Sequence, residues 1–221
     1  MASALLRRSP ELFRGAFRCG LNHGVGSLFT KVLNLSYKRS LSKFESDIEF
    51  TSVRRFGDET DALWDRIERN FPIAVVRDAE YLNWKYVDQP DIEHNCMLVK
   101  HQGTLIGILI LREPDISGNS VISEIIMDPN DSDLAAVIAH VAVKTLAASG
   151  ASRVTAATSI PTFISALERV GFKRRGEVVG MFGCDGSVDN PSLAYEKNAW
   201  LLSRADHDWD AGGQMLSDAY S

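Results

Sequence analysis

Three observations predict an α/β fold for the main body of this 221-residue chain. Ser120–Met127 carries Val121, Ile122, Ile125, Ile126 and Met127, apolar on both faces as a central buried strand must be. Asp131–Ala148 repeats Leu134, Val137, Ile138, Val141 and Leu146 near the ~3.6-residue helical period, so it lays one apolar stripe on a sheet. Asn95–Lys100 and Thr104–Arg112 are strand-like runs around His101-Gln102-Gly103, the pattern of a hairpin.

The elements follow in order. Ile48 and Phe50 alternate with acids and Thr51, so Asp47–Arg54 is the first expected strand. Asp58 or Thr60 is expected to cap a helix through Ala62, Leu63, Ile67 and Phe71, which Pro72 stops. Asp78 caps a short helix with Tyr81, Trp84 and Lys85 near one face and Leu82 and Tyr86 beside them. These aromatics are read first as packing groups. The alternative is an acceptor pocket with Arg77 or Lys85 at its mouth. Gly103 suits a positive-φ turn position, and Gly107 permits a bulge or the close approach of another backbone. Glu113–Asn119 is a polar turn.

Asp128, Pro129 and Asn130 then break the central strand. Asp131 or Ser132 caps the next helix, Asp133 favours the positive end of its dipole, and Gly150 ends it. Ser152–Thr158 reads as a strand and Ile160–Phe172 as a helix closing on Gly171-Phe172. A strand over Phe172–Val179, a loop over Asp185–Pro191 and a last strand over Leu193–Leu202 complete the sheet. The expected organisation is a basic helical linker or extension over 1–44, a folded domain over 45–203 and a loose acidic tail over 204–221.

Charge is unevenly spread. Residues 1–43 hold eight Lys or Arg against Glu11, whereas the rest of the chain holds 16 basic and 28 acidic residues, a net −12. An acidic body argues against nucleic acid as a partner and is compatible with an amine-bearing substrate. The basic segment interleaves Leu5, Leu6, Leu12, Phe13 and Phe17 with Arg7, Arg8, Arg14 and Arg18. A targeting peptide, a membrane-surface helix and a linker that docks a partner or another copy all fit it, and the linker fits best. No apolar run approaches the ~20 residues of a membrane span. Cys19, Cys96 and Cys184 are odd in number and far apart, as expected of a reduced, cytoplasmic protein without a zinc or redox motif.

The strand–turn–helix–strand–helix order of 120–172 resembles the core of the GNAT superfamily of acyl-CoA-dependent N-acyltransferases. Ala166-Leu167-Glu168-Arg169-Val170-Gly171-Phe172 is similar to the family's "lYeklGF" segment, and 95–112 to its hairpin. Arg77-Asp78-Ala79-Glu80-Tyr81-Leu82-Asn83-Trp84-Lys85-Tyr86 resembles the "RDxxYLxWRY" run in the second half of two-halved bacterial relatives. The resemblance implies a mixed, mainly antiparallel sheet with helices on both faces, splayed between the strands at 120–127 and 152–158.

It also implies transfer of an acetyl or other acyl group from acyl-CoA to a small-molecule amine, with acyl-CoA as cosubstrate and no metal. The pyrophosphate would lie on the backbone at Met127, Asn130, Asp131, Ser132, Asp133 and Leu134, where a helix N-terminus attracts anions. This loop carries neither the Arg nor the glycines of the family's Arg/Gln-x-x-Gly-x-Gly/Ala pattern. For the base, Glu124 on the buried strand is the candidate, since desolvation raises a carboxyl pKa. The family's acid, a Tyr four residues before the Gly, corresponds to Leu167, so Tyr195 or Tyr81 is the substitute. His140 reads as a solvated or interfacial helix residue. These departures support a second reading, a non-catalytic GNAT-like interaction module.

Overall fold

The computed structural model describes residues 48–174, 196 and 199–206. Among them, five strands form one sheet: β1 (Ile48–Val53), β2 (His94–His101), β3 (Thr104–Arg112), β4 (Asn119–Met127) and β5 (Arg153–Ala156). Their order across the sheet is their order along the chain. β1 to β4 pair antiparallel, and β4 pairs with β5 in parallel, so the sheet is mixed. The helices are α1 (Asp58–Ile67), α2 (Ala79–Leu82), α3 (Ser132–Ala148) and α4 (Pro161–Arg169). α3 is the crossover that a parallel pair requires.

Local chemistry accounts for most of this. Gln102 and Gly103 both have positive φ, 49° and 76°, the combination that a two-residue hairpin turn needs. Ile108, Leu109, Ile110 and Leu111 of β3 are all fully buried. Successive strand residues point to opposite faces, so both faces of the sheet are covered there. A Cβ at Gly107 would lie 3.2 Å from Ile138 Cδ1 and 3.3 Å from the Ile126 carbonyl, so glycine is what lets α3 approach β3.

α3 is capped by Asp131, whose Oδ1 accepts from the Leu134 N–H at 2.9 Å, and Gly150 follows its end with φ 91°. Its burial is wider than one stripe: Ala135, Ala139, His140, Ala142 and Val143 are buried too, while Val141 is half-buried. The small residues let α4 pack against α3 as well as the sheet, and His140 is interfacial rather than solvated. Burial first, then Lys144, hold the His140 imidazole below its usual range.

The structure corrects five expectations. The N-cap of α1 is Gly57, not Asp58 or Thr60; Asp58, Glu59 and Asp61 supply negative charge within the first turn, and Thr60 is buried. α2 is capped by Asp78 as expected but continues into a π turn, Asn83–Val87. Asn83 there bonds both the N–H and the carbonyl of Phe56, at 2.9 and 3.0 Å. Phe172–Arg174 is not part of the sheet. The stretch Ala199–Ser203 joins by single bridges, Trp200 to Ile73 and Ser203 to Thr158, rather than as a strand. Arg204–Asp206, placed in the loose tail by sequence, is an ordered turn. The expected basic segment 1–43, the remainder of the Phe172–Val179 strand, most of the Leu193–Leu202 strand and the tail beyond 206 lie outside the described residues. Among the described residues, no helix is long and apolar enough to cross a membrane.

Candidate functional site

The sheet opens beside Glu124. The β4–β5 ladder runs from Asn119–Arg153 to Ile122–Ala156 and then stops, although β4 continues to Met127. At the same point β4 carries a bulge. Ile110 of β3 lies opposite Glu124 and Leu111 opposite Ile122, so Ser123 is the extra residue. Bulges bend a strand and re-aim its side chains. In the opening lies a cavity lined by Ser123, Glu124, Ile125, Phe163, Leu167 and Ser203, among others, with a volume of about 10 Å³. That inner space matches about one water molecule.

Glu124 is held by Tyr86 and Arg77, and through Arg77 it is tied to Asp206. The Tyr86 hydroxyl donates to Glu124 Oε2 at 2.6 Å. Arg77 Nε lies 3.5 Å from the same oxygen. The Arg77 Nη2 donates to both Asp206 oxygens at 2.8 Å, and its Nη1 donates to the Val75 carbonyl at 3.0 Å. Asp206 also accepts from the Ser203 N–H at 2.8 Å and from the Ser203 hydroxyl at 3.1 Å. The Ser203 hydroxyl has one proton to give, which leaves Glu124 Oε1 without a hydrogen-bond donor among the described residues. Ser123 Oγ is likewise buried and unsatisfied among them.

The electrostatics follow from burial. Arg77 and Glu124 side chains are both 0% exposed. Burial raises the Glu124 carboxyl; Arg77 opposes this and the Asp206 charge adds to it, and the balance lies above the usual carboxylate range. Burial disfavours the Arg77 charge, but the Glu124 and Asp206 carboxylates outweigh it, so the guanidinium stays cationic. Burial and then Glu124 raise the Tyr86 phenol well above its ordinary range, which keeps it a donor. One cation therefore faces two carboxylates in a desolvated space.

The residues expected from sequence divide into two places. Glu124 is in the cavity, with the raised pKa that desolvation predicted. Arg77 is not at a pocket mouth but wholly enclosed, because two carboxylates compensate its charge. Tyr81 lies under the Arg77 guanidinium, 5.1 Å from it, and accepts from Lys85 Nζ at 3.1 Å. Trp84 is 61% exposed and Tyr86 is 3% exposed, so the aromatic cluster faces both ways. Tyr195 lies outside the described residues.

The other expected residues gather at the start of α3. Met127 and Leu134 are buried, Asn130 and Ser132 are exposed, and Asp131 is committed to the cap. The Asp128 carboxylate binds the Asn130 N–H at 2.9 Å and Asn70 Nδ2 at 3.1 Å. Beside them, Ser132 shares a depression of about 210 Å³ with Pro161, Thr162, Ser165, Ala166 and Arg169 of α4. Arg169 was not among the expected residues; a search for an Arg inside the loop misses one supplied by a neighbouring helix. The i, i+3 and i+4 spacing of Thr162, Ser165, Ala166 and Arg169 on one helix face was the available signal.

Among the described residues no cluster of His, Cys, Asp and Glu is arranged to hold a metal ion. Comparison with protein-family models, curated proteins and solved structures finds no match.

Proposed function

We propose that this chain is a GNAT-type N-acyltransferase that moves an acetyl or other acyl group from acyl-CoA to a small amine. The observation that carries the reading is the β4–α3–β5 unit whose parallel ladder ends at Ile122–Ala156, with Glu124 in the opening. A thioester lying along the free edge of β4 would meet an acceptor nitrogen at that carboxylate. The nitrogen would bond to the thioester carbonyl carbon and the carbon–sulfur bond would break. The proton lost by nitrogen would pass to Glu124, and the thiolate would take one from solvent.

Phosphate binding is supported by the N-terminus of α3 and by Arg169 across the depression that Ser132 lines. It is opposed by Asp131, which both carries charge and occupies the Leu134 N–H. That cap, and the engagement of Glu124 by Tyr86 and Arg77, favour a second reading in which the same fold is a non-catalytic module. Calorimetric titration with acetyl-CoA, followed by a free-thiol assay over a panel of amines, separates them. Saturable binding with amine-dependent thiol release is expected of the enzyme. Binding without release supports the module, and no heat at millimolar acetyl-CoA refutes the acyltransferase.

A further inference from the structure

One guanidinium is shared between two carboxylates, and the sharing is unequal. Arg77 Nη2 donates to both Asp206 oxygens at 2.8 Å. Its Nη1 has a second anchor, the Val75 carbonyl at 3.0 Å. Nε is left 3.5 Å from Glu124 Oε2, and among the described residues this buried N–H has no hydrogen-bond partner. Nε–H and Nη2–H lie along one edge of the guanidinium, an edge that can grip a single carboxylate with two parallel bonds. Here Asp206 takes one end of that edge, and Glu124 does not reach the other. Asp206 is itself fixed by the Ser203 N–H at 2.8 Å and the Ser203 hydroxyl at 3.1 Å, so it anchors Arg77 rather than following it. A charge-assisted N–H···O bond is about 2.7–2.9 Å long, so a shift of Arg77 by less than about 1 Å would make the missing bond to Glu124.

We infer that Asp206 is a positioning residue for Glu124: by anchoring the Arg77 guanidinium it keeps Nε short of a hydrogen bond to Glu124, and so leaves that carboxylate able to take up a proton. Its catalytic meaning rests on the acyltransferase reading, in which Glu124 receives the amine proton. Asp206 acts in two ways with one sign. Its charge opposes a second negative charge nearby, and its hold on Arg77 withholds the bond that would stabilise the Glu124 anion. Burial is the largest influence raising the Glu124 carboxyl, Arg77 opposes it, and Asp206 adds to it. Tyr86 also faces Glu124, donating to Oε2 at 2.6 Å, with His94 edge-on to the Tyr86 ring. Tyr81 lies under the Arg77 guanidinium. From α4 and from Ala199–Ser203, the residues lining the space beside Glu124 are Phe163, Leu167, Leu201 and Ser203, none of them charged. Asp206 can therefore be changed without touching Glu124 or the bond it accepts from Tyr86.

The test is a carbon NMR pH titration of the full chain labelled at the glutamate side-chain carboxyl, with the Glu124 signal assigned by its absence from Glu124→Gln. In wild type its midpoint is expected above about 4.3, the ordinary glutamate value. Asp206→Asn leaves one cation facing one carboxylate, a balanced pair, and should lower the proton affinity of Glu124 by about tenfold or more. Asp206→Glu, which keeps the charge, should restore most of that loss. Asp206→Ser gives the same readout if the Asn variant does not fold. A wild-type midpoint at or below about 4.3, or a midpoint unchanged in the Asn and Ser variants, overturns the inference. A merely structural role for Asp206 would move the urea midpoint and leave the Glu124 titration in place. The free-thiol assay on the same samples keeps the two ideas apart. Its acid limb should move to lower pH in Asp206→Asn, because a carboxylate of lower proton affinity stays ionised further down. A shifted Glu124 titration with no amine-dependent thiol release in any form removes the acyltransferase reading and leaves the Asp206 role. Thiol release with an unmoved Glu124 titration does the reverse.

Discussion

Replacing Arg77 with Met removes the cation that faces both Glu124 and Asp206 and leaves the volume largely filled. Arg77 is fully buried, and its guanidinium contacts a carbonyl and two carboxylates from distant segments. Removing one partner of a buried ion pair costs about 3–5 kcal/mol, mostly through the charge left behind. A domain of this size has about 5–15 kcal/mol in total. With a urea slope of about 2 kcal/mol per molar, the unfolding midpoint should fall by about 2 M. The penalty should shrink at about pH 4, where the stranded carboxylates take up protons. Adding Glu124→Gln and Asp206→Asn to Arg77→Met should recover more than half of the loss, because the buried charges then disappear with their partner. Urea titrations monitored by tryptophan fluorescence at pH 7 and pH 4 measure all of this. A midpoint within 0.5 M of wild type (about 1 kcal/mol) for Arg77→Met at pH 7 would refute the buried-cluster argument.

Three further outcomes are expected. Glu124 has a folded pKa above its unfolded value of about 4.3, so the folded state holds a proton that the unfolded state has released. Its contribution to stability is fully present below the unfolded pKa and is lost as pH rises through the folded one. The groups around it are Arg77, Tyr86, Asp206 and Ser203, and Glu124→Gln should flatten the stability–pH slope above about pH 4 in urea titrations. Gly107→Ala sets a methyl against Ile138 Cδ1 and the Ile126 carbonyl and should cost about 1–3 kcal/mol, seen as a lower melting temperature; no change would mean that α3 moves away freely. Asp131→Asn keeps a cap on Leu134 N–H but removes the carboxylate at the start of α3; under the acyl-CoA reading, acetyl-CoA affinity should rise severalfold in calorimetry, for a gain of about 1 kcal/mol.

What was legible in the sequence was local. The Gln102-Gly103 hairpin, the Asp78 and Asp131 caps, the stop at Gly150 and the doubly buried β4 each depend on residues within a turn or strand of one another. Gly57 replaced the expected cap of α1 because three acids in the first turn already complement the dipole. Glu124 could be nominated, since a lone acid in an apolar strand has few explanations. Its partners could not. Arg77 and Asp206 are separated by 129 residues, and nothing in RAD at the edge of an acidic tail distinguishes a buried carboxylate from a solvated one. The bulge at Ser123 was equally hidden, because it is a property of the pairing with β3 rather than of β4 alone.

The segment Arg77–Tyr86 brings the two readings of its aromatics together. Tyr86 turns inward and donates to Glu124, Tyr81 lies beneath the Arg77 guanidinium, and Trp84 faces solvent. Packing and site are thus served by one short helix and its π turn. This constrains any chemistry at Glu124. Oε2 is committed to Tyr86 and Arg77, and freeing it would expose the same buried-charge penalty that Arg77→Met is expected to produce. Among the described residues only Oε1 is left without a hydrogen-bond partner. Tyr86→Phe tests how much of this hold the phenol supplies. It should cost about 1.5–3 kcal/mol of stability at pH 7, the scale of a hydrogen bond to a charged group, read as a lower urea midpoint. A midpoint unchanged from wild type would mean that Arg77 alone holds Glu124 in place.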